Sequence, residues 1–151
     1  MDLIKELTAF SLGHSGKVLY YVTDPQCPYC KKGTEILKKL VEAGEVRVNF
    51  LLFPLSSHKD AKAQSISVIC DHKSLEEFEG GYRSDNQCPR GVEIVAKTIR
   101  MLQEKGITGT PTYIFPDRRY HSGFLEEAEL RRRLGLGASS ATGDDPAESN
   151  K

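Results

Sequence analysis

One segment decides the fold and the chemistry of this chain: Asp24-Pro25-Gln26-Cys27-Pro28-Tyr29-Cys30-Lys31-Lys32. It stands where a strand-like apolar run at residues 18–22 gives way to a helical pattern over residues 31–43. Two thiols separated by two residues can close a small disulfide ring there. The unpaired N–H groups and the positive dipole end of the helix stabilise a thiolate. The spacing therefore predicts a redox pair at a strand-to-helix junction.

The two thiols of this segment are expected to differ. Cys27 lies nearer the helix start and solvent, so it is predicted to have a lowered pKa and to be the reactive thiol. Cys30 lies one helical turn further in and is predicted to be the buried resolving thiol. Pro28 suits the first helical turn because the N–H that it lacks would be unpaired there. Lys31 and Lys32 are expected to favour the thiolate further.

Two other interpretations of this Cys-x-x-Cys spacing are a zinc site and a purely structural disulfide. A zinc site needs four ligands, and Cys70 and Cys88 do not supply a second pair at the same spacing. A purely structural disulfide closing so short a ring would constrain little of the unfolded chain. Redox chemistry is the favoured interpretation, with neither a metal nor a cofactor expected.

Length and composition limit the other possibilities. A chain of 151 residues with 38% hydrophobic residues predicts one domain with a real core. Its 21 basic and 21 acidic residues balance, so nothing indicates binding to nucleic acid or to an anionic membrane. No apolar run is long enough for membrane insertion, and residues 1–7 lack the features of a secretion signal. We expect a soluble protein.

The order of patterns predicts an α/β fold. A helix and turn are expected over residues 2–16, and the strand–helix–strand order that follows predicts parallel pairing. The predicted elements after residue 16 are a strand at 17–23, a helix at 31–43, a strand at 46–53, helices near 61–70, 75–78 and 89–106, a β-hairpin from 112 to 122 and a helix at 126–134. The final residues are rich in Gly, Ala, Ser and Asp and predict a disordered tail.

Three features outside the main motif also lead to predictions. Cys70 near a helix end and Cys88 just before a helix start can meet through the connecting loops, or they can be two small buried apolar side chains. Thr110 precedes Pro111 at the start of a strand and is expected to be extended. The histidines show no common ligand spacing and are interpreted as surface residues without a role. They are His14, His58, His72 and His121.

Taken together, the chain resembles a thioredoxin-like fold, β-α-β then β-β-α, with an inserted helical subdomain. Within that superfamily it is most similar to the catalytic domain of periplasmic disulfide isomerases of the DsbC/DsbG type. The residues that carry the match are Thr23-Asp24 before Cys27-Pro28-Tyr29-Cys30, then Phe53-Pro54, Ile69-Cys70 with Cys88, and Gly109-Thr110-Pro111. The expected organisation is a linker helix and turn at 1–16, a catalytic domain at 17–136 with its insertion at about 56–105, and a disordered tail at 137–151.

The resemblance implies a role for each residue of the main motif. Cys27 is implied as the nucleophile and Cys30 as the resolving thiol, with the dipeptide Pro28-Tyr29 between them. That dipeptide is typical of glutaredoxins and departs from the usual isomerase sequence. A further departure is Tyr21, which stands six residues before Cys27 where thioredoxin itself has an acid.

The resemblance also implies roles outside the motif. Thr110 and Pro111 are implied as a cis-proline loop that faces the sulfurs and pairs with an extended substrate. Cys70 and Cys88 are implied as a structural disulfide of the insertion. No dimerisation domain precedes the catalytic domain in this sequence, so the chain is expected to be a monomer, or a dimer where such a domain is attached.

The expected function is a periplasmic thiol:disulfide oxidoreductase or isomerase that acts on misfolded or disulfide-bonded proteins through a mixed disulfide. By resemblance, its redox partner is a membrane reductase of the DsbD type. Two alternatives remain open. One is a cytosolic glutaredoxin-like reductase, and the other is a non-catalytic thioredoxin-fold chaperone or metal-binding module.

Overall fold

The computed structural model describes residues 2–137, with side chains from Ile4 onward. The predicted tail at 137–151 lies outside this range apart from Gly137. The elements in chain order are α1 (Asp2–Glu6), β1 (Phe10–Leu12), β2 (Lys17–Thr23), α2 (Pro28–Glu42), β3 (Val46–Leu52), α3 (Ala61–Cys70), α4 (Leu75–Glu79), α5 (Pro89–Glu104), β4 (Thr112–Ile114), β5 (Tyr120–Ser122) and α6 (Glu127–Leu134).

The strands form one five-stranded sheet in the order β1-β3-β2-β4-β5. Strands β2 and β3 pair in parallel from Lys17 opposite Val46 to Thr23 opposite Leu52, as the strand–helix–strand order predicted. The pairs β1/β3, β2/β4 and β4/β5 are antiparallel. The last five residues of both β2 and β3 are buried, which is expected for central strands covered on both faces. The predicted fold class is confirmed.

The N-terminal segment differs from its prediction. Instead of a helix and turn alone over residues 2–16, α1 ends at Glu6 and Phe10–Leu12 form an edge strand on β3. The cause is long-range packing, because the Phe10 ring lies 5.0 Å from the Phe50 ring and 5.3 Å from that of Phe78. These contacts outweigh the weak helical periodicity of so short a segment.

The predicted helical insertion is present as α3, α4 and α5, with α3 packed against α5. These two helices approach closely at Gly91. A Cβ atom there would lie 2.5 Å from the Cys70 sulfur and 3.0 Å from the Ile66 carbonyl oxygen. Within residues 2–137, no helix combines the length and apolar character needed to cross a membrane.

Candidate active site

The Cys-Pro-Tyr-Cys segment forms the junction between β2 and α2. The Cys27 N–H donates to the Asp24 carbonyl oxygen at 3.2 Å, which closes a turn directly after the strand. Cys27 is the N-cap of α2, and its sulfur accepts a hydrogen bond from the backbone N–H of Cys30 at 3.2 Å. Pro28 occupies the first turn of the helix, where no N–H is needed. The helix therefore begins three residues before the predicted position, with the sulfur itself as the cap.

The thiol of Cys27 is the more acidic of the two. A hydrogen bond from the Cys30 thiol is the largest cause that lowers its pKa, to about 6. Burial opposes this shift, whereas the hydroxyl of Thr110 and the N–H of Cys30 add to it. The negative charge of Asp24 acts in the opposite direction and raises the pKa of Cys27. At neutral pH, Cys27 is therefore mainly a thiolate.

The thiol of Cys30 stays protonated. Burial raises its pKa well above the ordinary range, and the hydrogen bond that it gives to Cys27 raises the pKa further. Both sulfurs lie in a largely enclosed setting, with Cys27 6% exposed and Cys30 1% exposed. The two free thiols are thus an acidic thiol, Cys27, and a protonated one, Cys30.

Two buried tyrosines pack next to the active-site segment. The Tyr21 hydroxyl donates to the Cys30 carbonyl oxygen at 2.7 Å, and its ring lies 5.2 Å from the Tyr113 ring. Burial raises the pKa of Tyr21 and brings that of Tyr113 to about 12, so both remain neutral. Only glycine fits at position 33, since a Cβ atom there would lie 2.3 Å from the Tyr21 hydroxyl oxygen. Tyr21 therefore anchors the first turn of α2.

The Thr110–Pro111 loop lies against both sulfurs. The peptide bond between Thr110 and Pro111 is cis. The Thr110 hydroxyl is buried without a well-aligned hydrogen-bond partner among the described residues, yet it is close enough to lower the pKa of Cys27 and of Cys30. It can therefore donate to a thiolate as negative charge moves between the two sulfurs during exchange.

A histidine next to the site was missed by the sequence analysis. His58 is not a free surface residue, because its Nδ1 lies 2.9 Å from a carboxylate oxygen of the fully buried Asp24 side chain. The same carboxylate accepts from the backbone N–H groups of Gln26 and Leu55, each at 2.6 Å. Asp24 therefore joins the active-site turn to the loop after β3. The available sequence signal was Asp24, an acid directly after an apolar strand, because such a side chain needs hydrogen-bond partners when it is buried.

The other three histidines differ in exposure. His14 and His72 are exposed and His121 is partly buried, where burial lowers its pKa. Across residues 2–137, no three His, Cys, Asp or Glu side chains come together as a metal site.

Tyr29 and Lys32 face solvent beside Cys27. Tyr29 is 58% exposed, and its ring centroid is 6.2 Å from that of Phe124. The Lys32 Nζ lies over both rings, at 5.4 Å from Tyr29 and 5.1 Å from Phe124. The Lys32 charge is thus held over the rings, and the main groups that stabilise the thiolate are Cys30 and Thr110.

The second cysteine pair lies in the helical insertion. Cys70 and Cys88 are joined by a disulfide, with Cα atoms 5.8 Å apart. Cys88 is the N-cap of α5, and its sulfur accepts from the Gly91 N–H at 3.3 Å. This bond ties the end of α3 to the start of α5.

The described fold and the thiol pair define a thioredoxin-like protein. The family model for the thioredoxin-like domain matches residues 6–137, and the chain belongs to that family. A comparison with curated protein sequences gave no significant match.

Several solved structures share the fold. A disulfide interchange protein from Neisseria gonorrhoeae is 24% identical to this chain, with a TM-score of 0.60. The match covers 88% of this chain and 99% of the Neisseria chain. A periplasmic thioredoxin-like protein from Salmonella enterica serovar Typhimurium is 18% identical with a TM-score of 0.67, covering 89% and 95%. DsbA2 from Pseudomonas aeruginosa is 18% identical with a TM-score of 0.58, covering 83% and 91%.

Proposed function

We propose that this protein is a thiol:disulfide oxidoreductase that acts on disulfide bonds of proteins. The observation that carries the proposal is the asymmetry of the two thiols: Cys27 is acidic, and Cys30 is buried and donates its proton toward the Cys27 sulfur. A thiolate attacks disulfides, whereas a protonated thiol does not. This arrangement therefore favours attack by Cys27 alone.

The exchange proceeds in two steps with all atoms accounted for. The Cys27 thiolate attacks one sulfur of the substrate disulfide, so a mixed disulfide forms and the other substrate sulfur leaves as a thiolate. Cys30 then gives up its proton to that leaving thiolate or to solvent and attacks the Cys27 sulfur. The second substrate sulfur also leaves as a thiolate, so the substrate gains two electrons from the thiol pair, the proton released by Cys30 and one further proton from solvent. The protein is left with a Cys27–Cys30 disulfide, which an external dithiol reduces again.

The geometry supports a protein rather than a small molecule as the substrate. The Thr110–Pro111 loop offers its backbone beside the sulfurs, where an extended chain can pair with it. Tyr29, two residues after Cys27, is exposed and offers an aromatic surface to an apolar side chain.

A more specific proposal concerns the type of oxidoreductase. The motif residues and the disulfide-bearing insertion favour a relationship to the DsbC/DsbG isomerases. By that resemblance, the protein would act in the periplasm and a DsbD-type reductase would be its redox partner. The structural neighbours include a periplasmic thioredoxin-like protein and a disulfide interchange protein, which is compatible with that compartment. An oxidising compartment also suits the Cys70–Cys88 bond.

Two assays test the general proposal of an oxidoreductase and the more specific proposal of an isomerase. Turnover of insulin with dithiothreitol as reductant is expected for the wild type and is expected to fall to background in Cys27→Ser. Refolding of scrambled ribonuclease is expected to be weak for a monomer of residues 1–151, because one catalytic domain makes one contact with the substrate, whereas two linked contacts raise effective concentration about a hundredfold. Sedimentation of the same sample identifies the oligomeric state.

The alternatives predict other results. A chaperone or metal-binding module would bind unfolded chains or zinc and would leave insulin oxidised. A glutaredoxin-like reductase would reduce glutathione mixed disulfides faster than insulin. Strong isomerase activity in a monomer would show that a second catalytic domain is not required.

A further inference from the structure

A cavity of about 480 Å³ lies beside the active site, between the loop after β3 and the end of α5. Its apolar part includes Phe53 and Ile99, and its polar rim includes Lys59, Lys62 and Thr108. None of these residues takes part in the thiol chemistry described above. The cavity is therefore a separate feature of the same face of the molecule.

Two hydrogen bonds connect this cavity to the active-site turn. His58 lines the cavity and contacts the Asp24 carboxylate at 2.9 Å. The neighbouring Lys59 carbonyl oxygen accepts from the Gln26 side chain, directly before Cys27 in the chain. On the other side, Thr108 lies two residues before Thr110 of the cis-proline loop. The cavity wall is therefore joined to both segments that hold the thiols, the turn before Cys27 and the loop that contains Thr110.

The charges at the rim favour an anion. Lys59 and Lys62 are exposed, and neither forms an ion pair with any side chain in the described part of the chain. Asp60 is the acid of the rim, and Arg83 pairs with it at 3.2 Å, which offsets its charge. Two lysines without an ion-pair partner and apolar side chains line the same cavity, a combination that matches a carboxylate carried on a short aliphatic stem.

We propose that this cavity binds a carboxylate of the disulfide substrate, so that Lys59 and Lys62 select disulfides with an acidic group beside the reacting cysteine. The inference rests on the proposed function, because the carboxylate is recognised as part of the molecule that Cys27 attacks. The carboxylate can belong to an Asp or Glu of a protein substrate or to glutathione disulfide. Both present the same chemistry to the two lysines.

The test uses two peptides that differ only in charge. Each carries one cysteine as a mixed disulfide with a neutral aromatic thiol, flanked by two Asp residues in one peptide and two Asn residues in the other. Attack by Cys27 on the peptide sulfur releases the coloured aromatic thiolate, so a single turnover of the reduced full chain gives the rate directly. A third arm measures the reduction of glutathione disulfide. The quantity compared is the Asp/Asn rate ratio, which cancels any change in the thiol chemistry itself.

The wild type is expected to prefer the Asp peptide about fivefold at low salt, as two exposed ion pairs would give. The preference is expected to shrink at high salt because ions screen exposed charges. In the double variant Lys59→Gln, Lys62→Gln, the ratio is expected to fall to about one. The matched control Lys17→Gln, Arg47→Gln removes two exposed charges from the opposite end of β2 and β3 and is expected to keep the wild-type ratio. Thermal unfolding of both variants checks that they are folded.

Each outcome has a distinct meaning. Loss of the Asp preference in the lysine variant supports a protein carboxylate as the ligand. A lower rate of glutathione disulfide reduction, with the Asp preference kept, supports glutathione as the ligand. Equal rates for the two peptides together with unchanged glutathione reduction would overturn the inference. If the wild type attacks neither peptide, the proposed function itself is wrong.

Discussion

The two cysteine pairs of this protein begin in the same way and end differently. Cys27 and Cys88 are each followed by proline, and each is the N-cap of a helix. Each sulfur also accepts the N–H of the residue three positions later, at 3.2 Å for Cys27 and 3.3 Å for Cys88. Local sequence and helix-end geometry are therefore almost identical at the two sites.

The difference lies in the third residue of the following helix. At Cys27 that residue is Cys30, which supplies a second thiol within the same turn and donates to the first. At Cys88 it is Gly91, whose missing side chain leaves room for the sulfur of Cys70 from another helix. A helix N-terminus thus favours a sulfur at both sites, but the residue one turn later decides between exchange chemistry and a fixed cross-link.

Of the changes that test this comparison, removal of Cys27, the proposed nucleophile, should have the largest effect on activity. Cys27→Ser is expected to lower insulin reduction by about 10⁴-fold or more, because the exchange has no other thiolate to begin it. Cys30→Ser is expected to keep the attack and to accumulate the mixed disulfide with substrate, which mass spectrometry of the intact adduct detects. Turnover by Cys27→Ser at a rate near that of the wild type would contradict these roles.

Removing the second pair should change stability rather than chemistry. The variant Cys70→Ala, Cys88→Ala is expected to lower the free energy of unfolding by roughly 3 kcal/mol, since the disulfide closes a loop across a separation of 18 residues. Denaturant unfolding measures this loss. Insulin reduction by the same variant at 25 °C serves as the control and is expected to persist. A large loss of activity without a loss of stability would mean that this pair has a redox role.

The smallest expected effects are shifts in the pKa of Cys27. Thr110→Val removes a hydroxyl that stabilises the thiolate and is expected to raise this pKa. Asp24→Asn removes a negative charge and is expected to lower it. The ultraviolet absorbance of the thiolate, followed against pH in a Cys30→Ser background, compares the two variants with their parent. Shifts of the same sign in both variants would contradict the assigned causes.

The sequence predicted the parts of this structure that depend on local pattern. The strand at residues 17–23, the crossover helix and the hairpin all have strong periodicity or turn residues. The short strand Phe10–Leu12 was missed because its stability comes from Phe50 and Phe78, which are distant in the chain. Three residues carry too few positions to show a period of two against a helical background.

The candidate site shows the same division. The Cys-x-x-Cys spacing indicated the reactive segment directly, whereas the Asp24–His58 contact joins residues 34 positions apart and depends on the path of a loop. The cavity lined by Lys59 and Lys62 was also missed, since its walls come from the loop after β3 and from the end of α5, whose approach no local pattern encodes. The sequence predicted that Lys32 would stabilise the thiolate. In the structure the Lys32 ammonium group lies over two aromatic rings instead, a contact that depends on tertiary packing.

The most direct test of this account is the rate of alkylation of the reduced protein against pH, with the modified cysteine identified by peptide mass mapping. A pKa lowered to about 6 means that the reactive thiolate is lost as pH falls through 6 and is roughly nine-tenths formed at pH 7. We predict that iodoacetamide modifies Cys27 first, with a rate that rises through an inflection near pH 6 and then levels off. Modification of Cys30 first, or an inflection at the pH of an ordinary free thiol, would contradict the assignment of Cys27 as the activated nucleophile.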